Sequence, residues 1–262
     1  RYLAEVNIGY NGTEQFAPSN RFGFFPAFSL GWVISNESFM DNLRNNGIIS
    51  NLKLRASVGK VGNDGLGSTR FLYLDNIDLQ YHTSHIPSLG NGGKIYERMV
   101  GNKNIHWEVA WKQNYAVDLT LFDDLDLTFD YFIEDRSDIL IERNTVPAIS
   151  GLTSSQLPRV NMGEIKNKGY EITLDYNTDI TRDLNINFGG NFSYARNKVI
   201  SADEAVLSSD YAYRYRETGF SLGQNWGYII DHTVDPEHGK DGSGFFNSKE
   251  DVINSGLTYE TG

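Results

Sequence analysis

Apolar residues along this chain recur at every second position over long segments. From Leu125 to Ile133 the odd positions read Leu125, Leu127, Phe129, Tyr131 and Ile133, and between them stand Asp126, Thr128, Asp130 and Phe132. Successive side chains of a strand point to opposite faces, so this segment has one apolar face and one wetted face. Tyr170, Ile172, Leu174 and Tyr176 alternate in the same way with Glu171, Thr173 and Asp175. Leu184, Ile186, Phe188, Phe192 and Tyr194 do so with Asn185, Asn187, Asn191 and Ser193. The same period predicts strands over 2–10, from Pro26 through Trp32, over 52–58 and over 107–122. Pro26 has no amide donor and marks a strand start rather than a central position.

Between these strands, 36–46 reads as helical turns, with Ser35 or Asn36 as N-cap and Gly47 as the stop. The long Gly-rich stretch 61–104 reads as a loop holding short strands near 71–79. Asp123 and Asp124 turn the chain tightly into the strand that begins at Leu125 and runs to about Ile141. A loop follows over 144–159, a turn over 178–183, a strand to Asn197, a loop over 202–220 and a short strand over 227–230.

Large aromatics on one face and a wetted opposite face, repeated over long strands, identify an all-β, antiparallel transmembrane β-barrel. Connections after Ile34, Leu121 and Asn177 are compact, whereas those after Tyr10, Val61, Ile141 and Asn197 are long. Short turns on the periplasmic side and long loops outside are the outer-membrane arrangement. About ten tilted residues suffice to cross, and several segments exceed that. On this register Phe129, Tyr131, Ile172, Leu174, Phe188 and Phe192 face lipid, while Asp126, Asp130, Glu171 and Asp175 face the lumen. An open edge in lipid would strand unpaired backbone groups, so closure is required, and about nine segments do not close a very wide barrel. The chain begins at Arg1 inside a strand pattern and ends at Gly262 in a polar loop. Residues 1–262 are therefore expected to be one portion of a barrel domain.

Composition changes this picture little. Aromatics make up 13% of the chain, Gly numbers 26 and Pro 6, which favours β over α. No apolar run approaches the roughly 18 residues of a spanning helix. A mean hydropathy of -0.43 fits strands that turn only half their residues to lipid. The formal charge of -11 excludes a nucleic-acid binder, which needs clustered cations. With no Cys, disulfides and thiolate metal sites are excluded as well.

Candidate chemistry is sparse, and neither a catalytic residue, a metal site nor a cofactor is expected. His82, His85, His106, His232 and His238 form no His-Glu-x-x-His motif. KVGNDGLGS lacks a phosphate-binding lysine after a strand, and no Gly-x-Ser-x-Gly elbow occurs. DPEHGKDGSG (235–244) is acidic and Gly-rich, but its spacing is not that of a calcium loop. Asp126 and Asp130 share a wetted face and read as lumen groups rather than a glycosidase pair. Trp32, Trp107 and Trp111 lie near strand ends, as an interfacial aromatic belt requires. The binding candidates are loop aromatics: Tyr81, Tyr96, Tyr211, Tyr213 and Tyr215, with Arg214 inside the YAYRY run able to stack on and hydrogen-bond a sugar or a partner protein.

Several segments, in order, resemble the SusC/RagA-like TonB-dependent outer-membrane transporters of Bacteroidota. They are FPAFSLGWVISNESFM (25–40), LKLRASVGKVGN (52–63), GNKNIHWEVAWKQNYAVDLTLF (101–122), NMGEIKNKGYEITLDYN (161–177), NFGGNFSYARNKV (187–199) and FFNSKEDV (245–252). The stretch NGTEQFAPSNRFG from Asn11 departs from the Arg-x-Asp-Gly-Ser-Ser-like sequence usual there. The resemblance implies a plugged barrel of about 22 strands, of which this chain would lack the plug and the final strands. It implies import of a glycan or peptide with a SusD-like surface lipoprotein, driven by the TonB-ExbB-ExbD complex through the plug. The barrel would sit among bilayer lipid and lipopolysaccharide in the cell outer membrane. A structural, adhesive or enzymatic outer-membrane barrel is the alternative on the same wall.

Overall fold

The structure is a computed structural model, and it describes residues 1–67, 69–78, 96–143, 145–146, 150–153, 156–204 and 216–226. Nine strands are described: β1 (Tyr2–Gly12), β2 (Phe22–Val33), β3 (Ile49–Asn63), β4 (Asn76–Asp78), β5 (Tyr96–Met99), β6 (Glu108–Leu121), β7 (Leu125–Ile141), β8 (Val160–Thr181) and β9 (Leu184–Ser201). Seven form one antiparallel sheet in the order β1-β2-β3-β6-β7-β8-β9, and β4 pairs with β5 apart from it. Each wall strand therefore lies beside the wall strand that precedes it in the chain. Among the described residues this wall does not close on itself. Nor is any helix among them long and apolar enough to cross a membrane, which leaves crossing by strands untouched.

Wall connections at one end span 13–21, 64–107 and 142–159, and at the other 34–48, 122–124 and 182–183. The segment 34–48 is long in residues but compact. It holds two 3-10 turns, Ile34–Asn36 and Ser38–Met40, and the five-residue helix α1 (Asp41–Asn45). The expected cap at Ser35 or Asn36 is not used, because the helix begins later. Met40 stands at its N-cap without a side-chain bond, and the buried Ser35 hydroxyl instead bonds Asn51. Gly47, at φ +65, does end the element.

Two further expectations are corrected. β2 starts at Phe22 and Pro26 lies inside it, opposite Ile8 of β1. β3 pairs with β2 only from Ala27 onward, so Pro26 borders an unpaired stretch where its missing donor leaves no ladder bond empty. The turn expected over 178–183 shrinks to 182–183, because β8 continues to Thr181. Its polar end reads as loop in sequence, yet Asn177 and Asp179 are bridged by the Asn185 amide across the hairpin.

Pairing aligns the apolar positions on one face. Tyr115, Tyr131, Tyr170 and Tyr194 are consecutive cross-strand partners, and one step nearer the short turns lie Val117, Phe129, Ile172 and Phe192. The apolar band drifts across the register. Followed from Tyr194 to Tyr170, Tyr131, Tyr115, Ala56 and Leu30, the row reaches Ala4, six residues before Tyr10 at the band's upper edge on β1. Six residues of about 3.4 Å over six strand spacings of about 4.8 Å correspond to strands inclined roughly 35° to the band's normal. Transmembrane barrel strands tilt by about that angle. A level apolar belt thus exists only if the strands are tilted, which ties the sequence pattern to membrane geometry.

Candidate functional site

The wetted face of the wall carries an ionic ladder. Arg55 on β3 donates from Nε and Nη2 to the Asp118 carboxylate at 2.8 and 2.7 Å and lies 3.7 Å from Asp130. Nearer the long loops, Lys112 stands 3.8 Å from Glu134, and Arg136 bonds Glu108 and lies 3.8 Å from Glu134. Acids outnumber bases toward β8: Asp126 faces Asp175 and Asp130 faces Glu171 across the β7–β8 ladder. The Thr120 hydroxyl donates to Asp126 at 2.6 Å. This face is charged and hydrogen-bonded, as the side toward an aqueous lumen must be.

Side-chain bulk on the same face is uneven. β2 and β3 present Ala27, Ser29, Gly31, Ser57 and Gly59, and a Cβ on Gly59 would stand 2.9 Å from that of Ala27. Phe132 of β7 instead stands opposite Gly169 of β8, where a Cβ would meet the Tyr194 carbonyl oxygen of β9 first and the Phe132 Cζ at 2.6 Å. Glycine at 169 is what leaves room for both the β9 backbone and the Phe132 ring.

At the end bearing the long connections, loops pack into a cap. Phe16 from 13–21, Leu66 and Leu72 from the stretch after β3, and Ile105 before β6 form a buried core, flanked by Met99, Trp107 and Leu140. Amide side chains stitch the loops together. Asn20 donates to the carbonyls of Lys103 and Ile105 at 3.2 and 3.1 Å, and Asn102 donates to that of Arg159 at 2.8 Å. Gln156 donates to the Glu97 carbonyl at 2.8 Å, and Asn161 to those of His106 and Asp138 at 2.9 and 2.7 Å. Each amide satisfies carbonyls of the loops or of the strands beside them, so the loops hold a defined shape. Gly101 is pressed against the Leu74–Asp75 backbone, where a Cβ would stand 2.7 Å from the Asp75 nitrogen.

Of the binding candidates, Tyr81, Tyr211, Tyr213, Arg214 and Tyr215 lie outside the described residues. Tyr96 opens β5 opposite Asp78 of β4, and that hairpin is closed by Arg98 donating to Asp78 at 2.9 and 2.6 Å. The short strands expected over 71–79 reduce to β4, since Phe71 to Leu74 forms a turn. Trp111 faces outward near the upper edge of the apolar band, and Trp32 does so at the lower edge, stacked on Tyr2. Trp107 corrects the belt reading. Its ring turns into the cap against Phe16 and Phe25, 5.7 and 5.1 Å between centroids, and its Nε1 donates to the Arg21 carbonyl. His82, His85, His232, His238 and the stretch 235–244 lie outside the described residues, among which no cluster of metal-ligating side chains occurs.

Sequence reasoning missed the cap. Single apolar residues separated by polar and Gly-rich runs carry neither period, and only their isolation in a long loop marks them. Phe16 and Asn20 fall within the stretch where the sequence departs from the usual pattern, so that departure sits in the cap and not in the wall.

A sequence profile described as "TonB dependent receptor-like, beta-barrel" matches residues 1–260. TonB-dependent receptor P39 of Formosa agariphila is 32% identical over 230 residues, covering 87% of this chain and 20% of the relative. TonB-dependent receptor SusC of Bacteroides thetaiotaomicron is 25% identical over 228 residues, covering 86% and 22%. The fold superposes on the RagAB peptide importer in its "closed-closed" state with a TM-score of 0.68 at 21% identity, over 84% of this chain and 23% of that one. The chain thus spans about a fifth of the length of the relatives it matches. These relatives are receptors and transport proteins, not enzymes. The chain belongs to the TonB-dependent receptor β-barrel family, and its strands are wall of an outer-membrane barrel.

Proposed function

We propose that the protein imports a nutrient oligomer, a glycan or a peptide, across the outer membrane. The observation that carries this reading is the pairing of a charged inner wall with exterior loops folded into a cap of their own. A polar lumen needs something to admit, and a shaped rim gives selective entry. A SusD-like lipoprotein would close over the rim, and the TonB-ExbB-ExbD complex would supply energy through a plug. Tyr96 on the β4–β5 hairpin, with Tyr81, Tyr211, Tyr213, Arg214 and Tyr215, would meet cargo or lipoprotein. Affinity purification of the full-length protein from its own outer membrane should bring down a surface lipoprotein. Growth on the cargo that co-purifies should stop when the gene is deleted or the proton-motive force is dissipated. Recovery of the barrel alone, with unchanged growth, would sink the reading.

A further inference from the structure

Immediately beyond the tyrosine row, the outward face changes character on two strands. Lys168 of β8 stands directly opposite Arg196 of β9, and one step further toward the long loops Lys166 stands opposite Lys198. All four are exposed. Like charges directly opposed across a ladder destabilise a sheet, and here two such pairs are stacked in a chain of formal charge -11. Asp135 of β7 lies 3.3 Å from Lys166, whereas Lys168, Arg196 and Lys198 have no carboxylate partner among the described residues. At the corresponding height on the inner face the cations are matched, Lys112 by Glu134 and Arg136 by Glu108. The charge imbalance is thus confined to the face that meets the membrane boundary.

Position decides what could balance it. Lys168 and Arg196 are one pair-step from Tyr170 and Tyr194, about 7 Å along the strand, and Ile172 and Phe192 continue the apolar face below. The cations also line a cavity of about 530 Å³, together with Ile133 and Asp135 of β7 and with Gly219 and Phe220. Gly219 and Phe220 are held to β9 by the bonds Gly219 N to Val199 O and Val199 N to Phe220 O, both 2.8 Å. A ligand filling this place must be anionic where the cations are and apolar toward the tyrosines. A free anion has no use for the apolar row that adjoins the cations, and an acidic peptide in water would not reach it.

We propose that Lys166, Lys168, Arg196 and Lys198 form a binding site for the phosphate of an outer-leaflet glycolipid headgroup, whose acyl chains lie along Tyr170, Tyr194 and Phe192. Arg196 offers the planar fork that grips two phosphate oxygens, and the lysines add point charges around it. Because the long loops face outward, this height on the wall belongs to the outer leaflet. The proposal is independent of import, since cargo plays no part in it.

Native mass spectrometry of the detergent-solubilised full-length protein, titrated with diphosphoryl lipid A, tests the site. Each cation near an anionic membrane surface contributes about fivefold in affinity. The double variant K168Q/R196Q should therefore bind lipid A more than about tenfold more weakly, and the fourfold variant with K166Q and K198Q more weakly still. The inner-face pair K112Q/R136Q should bind as the parent does. Both outward variants remove a repulsion and should keep the heat-modifiable mobility of a folded barrel, so lost binding is not lost folding. Unchanged binding by K168Q/R196Q, or equal binding of dephosphorylated lipid A by the parent, would overturn the site. Displacement of lipid A by millimolar inorganic phosphate alone would show a free-anion site and overturn the lipid assignment.

Discussion

The wall and the cap arrange the same kinds of side chain in opposite ways. Phe188 and Phe192 on the wall stand 67% and 55% exposed, whereas Phe16 in the cap is 1% exposed. Within the apolar band the wall's charges turn inward and most of its aromatics outward. In the cap the apolar residues are enclosed, with amide groups and charges around them. The two regions share one chain, so composition does not separate them. They differ because the wall's outer face borders hydrocarbon, while the cap has water around it and gains only from hiding apolar surface. One rule of burial, applied to two solvents, yields two inversions of the same pattern.

Substitutions can break or sharpen this contrast. The largest effect is expected at Phe16→Ala, which should cost the cap about 3–5 kcal/mol as a buried ring is lost. Limited proteolysis should then cut the exterior loops while the barrel keeps its heat-modifiable mobility on gels. Loss of that mobility would show that wall and cap unfold as one. Next comes Leu174→Lys near the middle of the apolar band on β8, expected to cost about 2–4 kcal/mol in refolding into vesicles. A Lys there without cost would mean that this face does not meet lipid.

Gly169→Ala drives a methyl into the Tyr194 carbonyl oxygen as well as the Phe132 ring and should cost about 1–3 kcal/mol of barrel stability, with Phe132→Ala in the same chain restoring only the part due to the ring. A cycle measured by denaturant titration in detergent would reveal this coupling, and additive losses would refute it. Arg55→Gln should change stability by less than about 1 kcal/mol, because the Arg55–Asp118 pair is partly exposed to lumen water. Single-channel conductance of a plug-free barrel should shift instead. An effect of comparable size lies in the tight turn after β6, where Phe122 and Asp123 both hold positive φ, 57° and 63°. Asp123→Gly should gain about 1 kcal/mol by relieving a left-handed non-glycine residue.

The wall was legible in sequence because alternation is a direct imprint of the strand. The limits of β7, Leu125–Ile141, are the expected ones, and the lipid-facing and lumen-facing residues of β7, β8 and β9 fall on the faces their parity assigns. Legibility fails where another force replaces the period. β3 begins earlier and ends later than 52–58, because Asn51, Lys60 and Asn63 are polar yet held by pairing with β6. Trp107 reads as one more outward residue of β6, but the loop core pulls its ring inward. The cap as a whole was invisible, since Phe16, Leu66, Leu72 and Ile105 come from separate loops and only tertiary contact relates them.

The place of that core also bears on how the chain assembles. Five of the six connections between neighbouring wall strands are no longer than 142–159, so the sheet can grow by adding one hairpin after another with short closures. The exception is the interval between β3 and β6, which spans 64–107. By polymer scaling, bringing its ends together costs about 2 kcal/mol more than closing the turn between β6 and β7. Leu66 lies just after β3 and Ile105 just before β6, and they meet in the same core. Their collapse on the water side would deliver the two strand ends to each other before the ladder between them forms, shortening the slowest search the meander has to make.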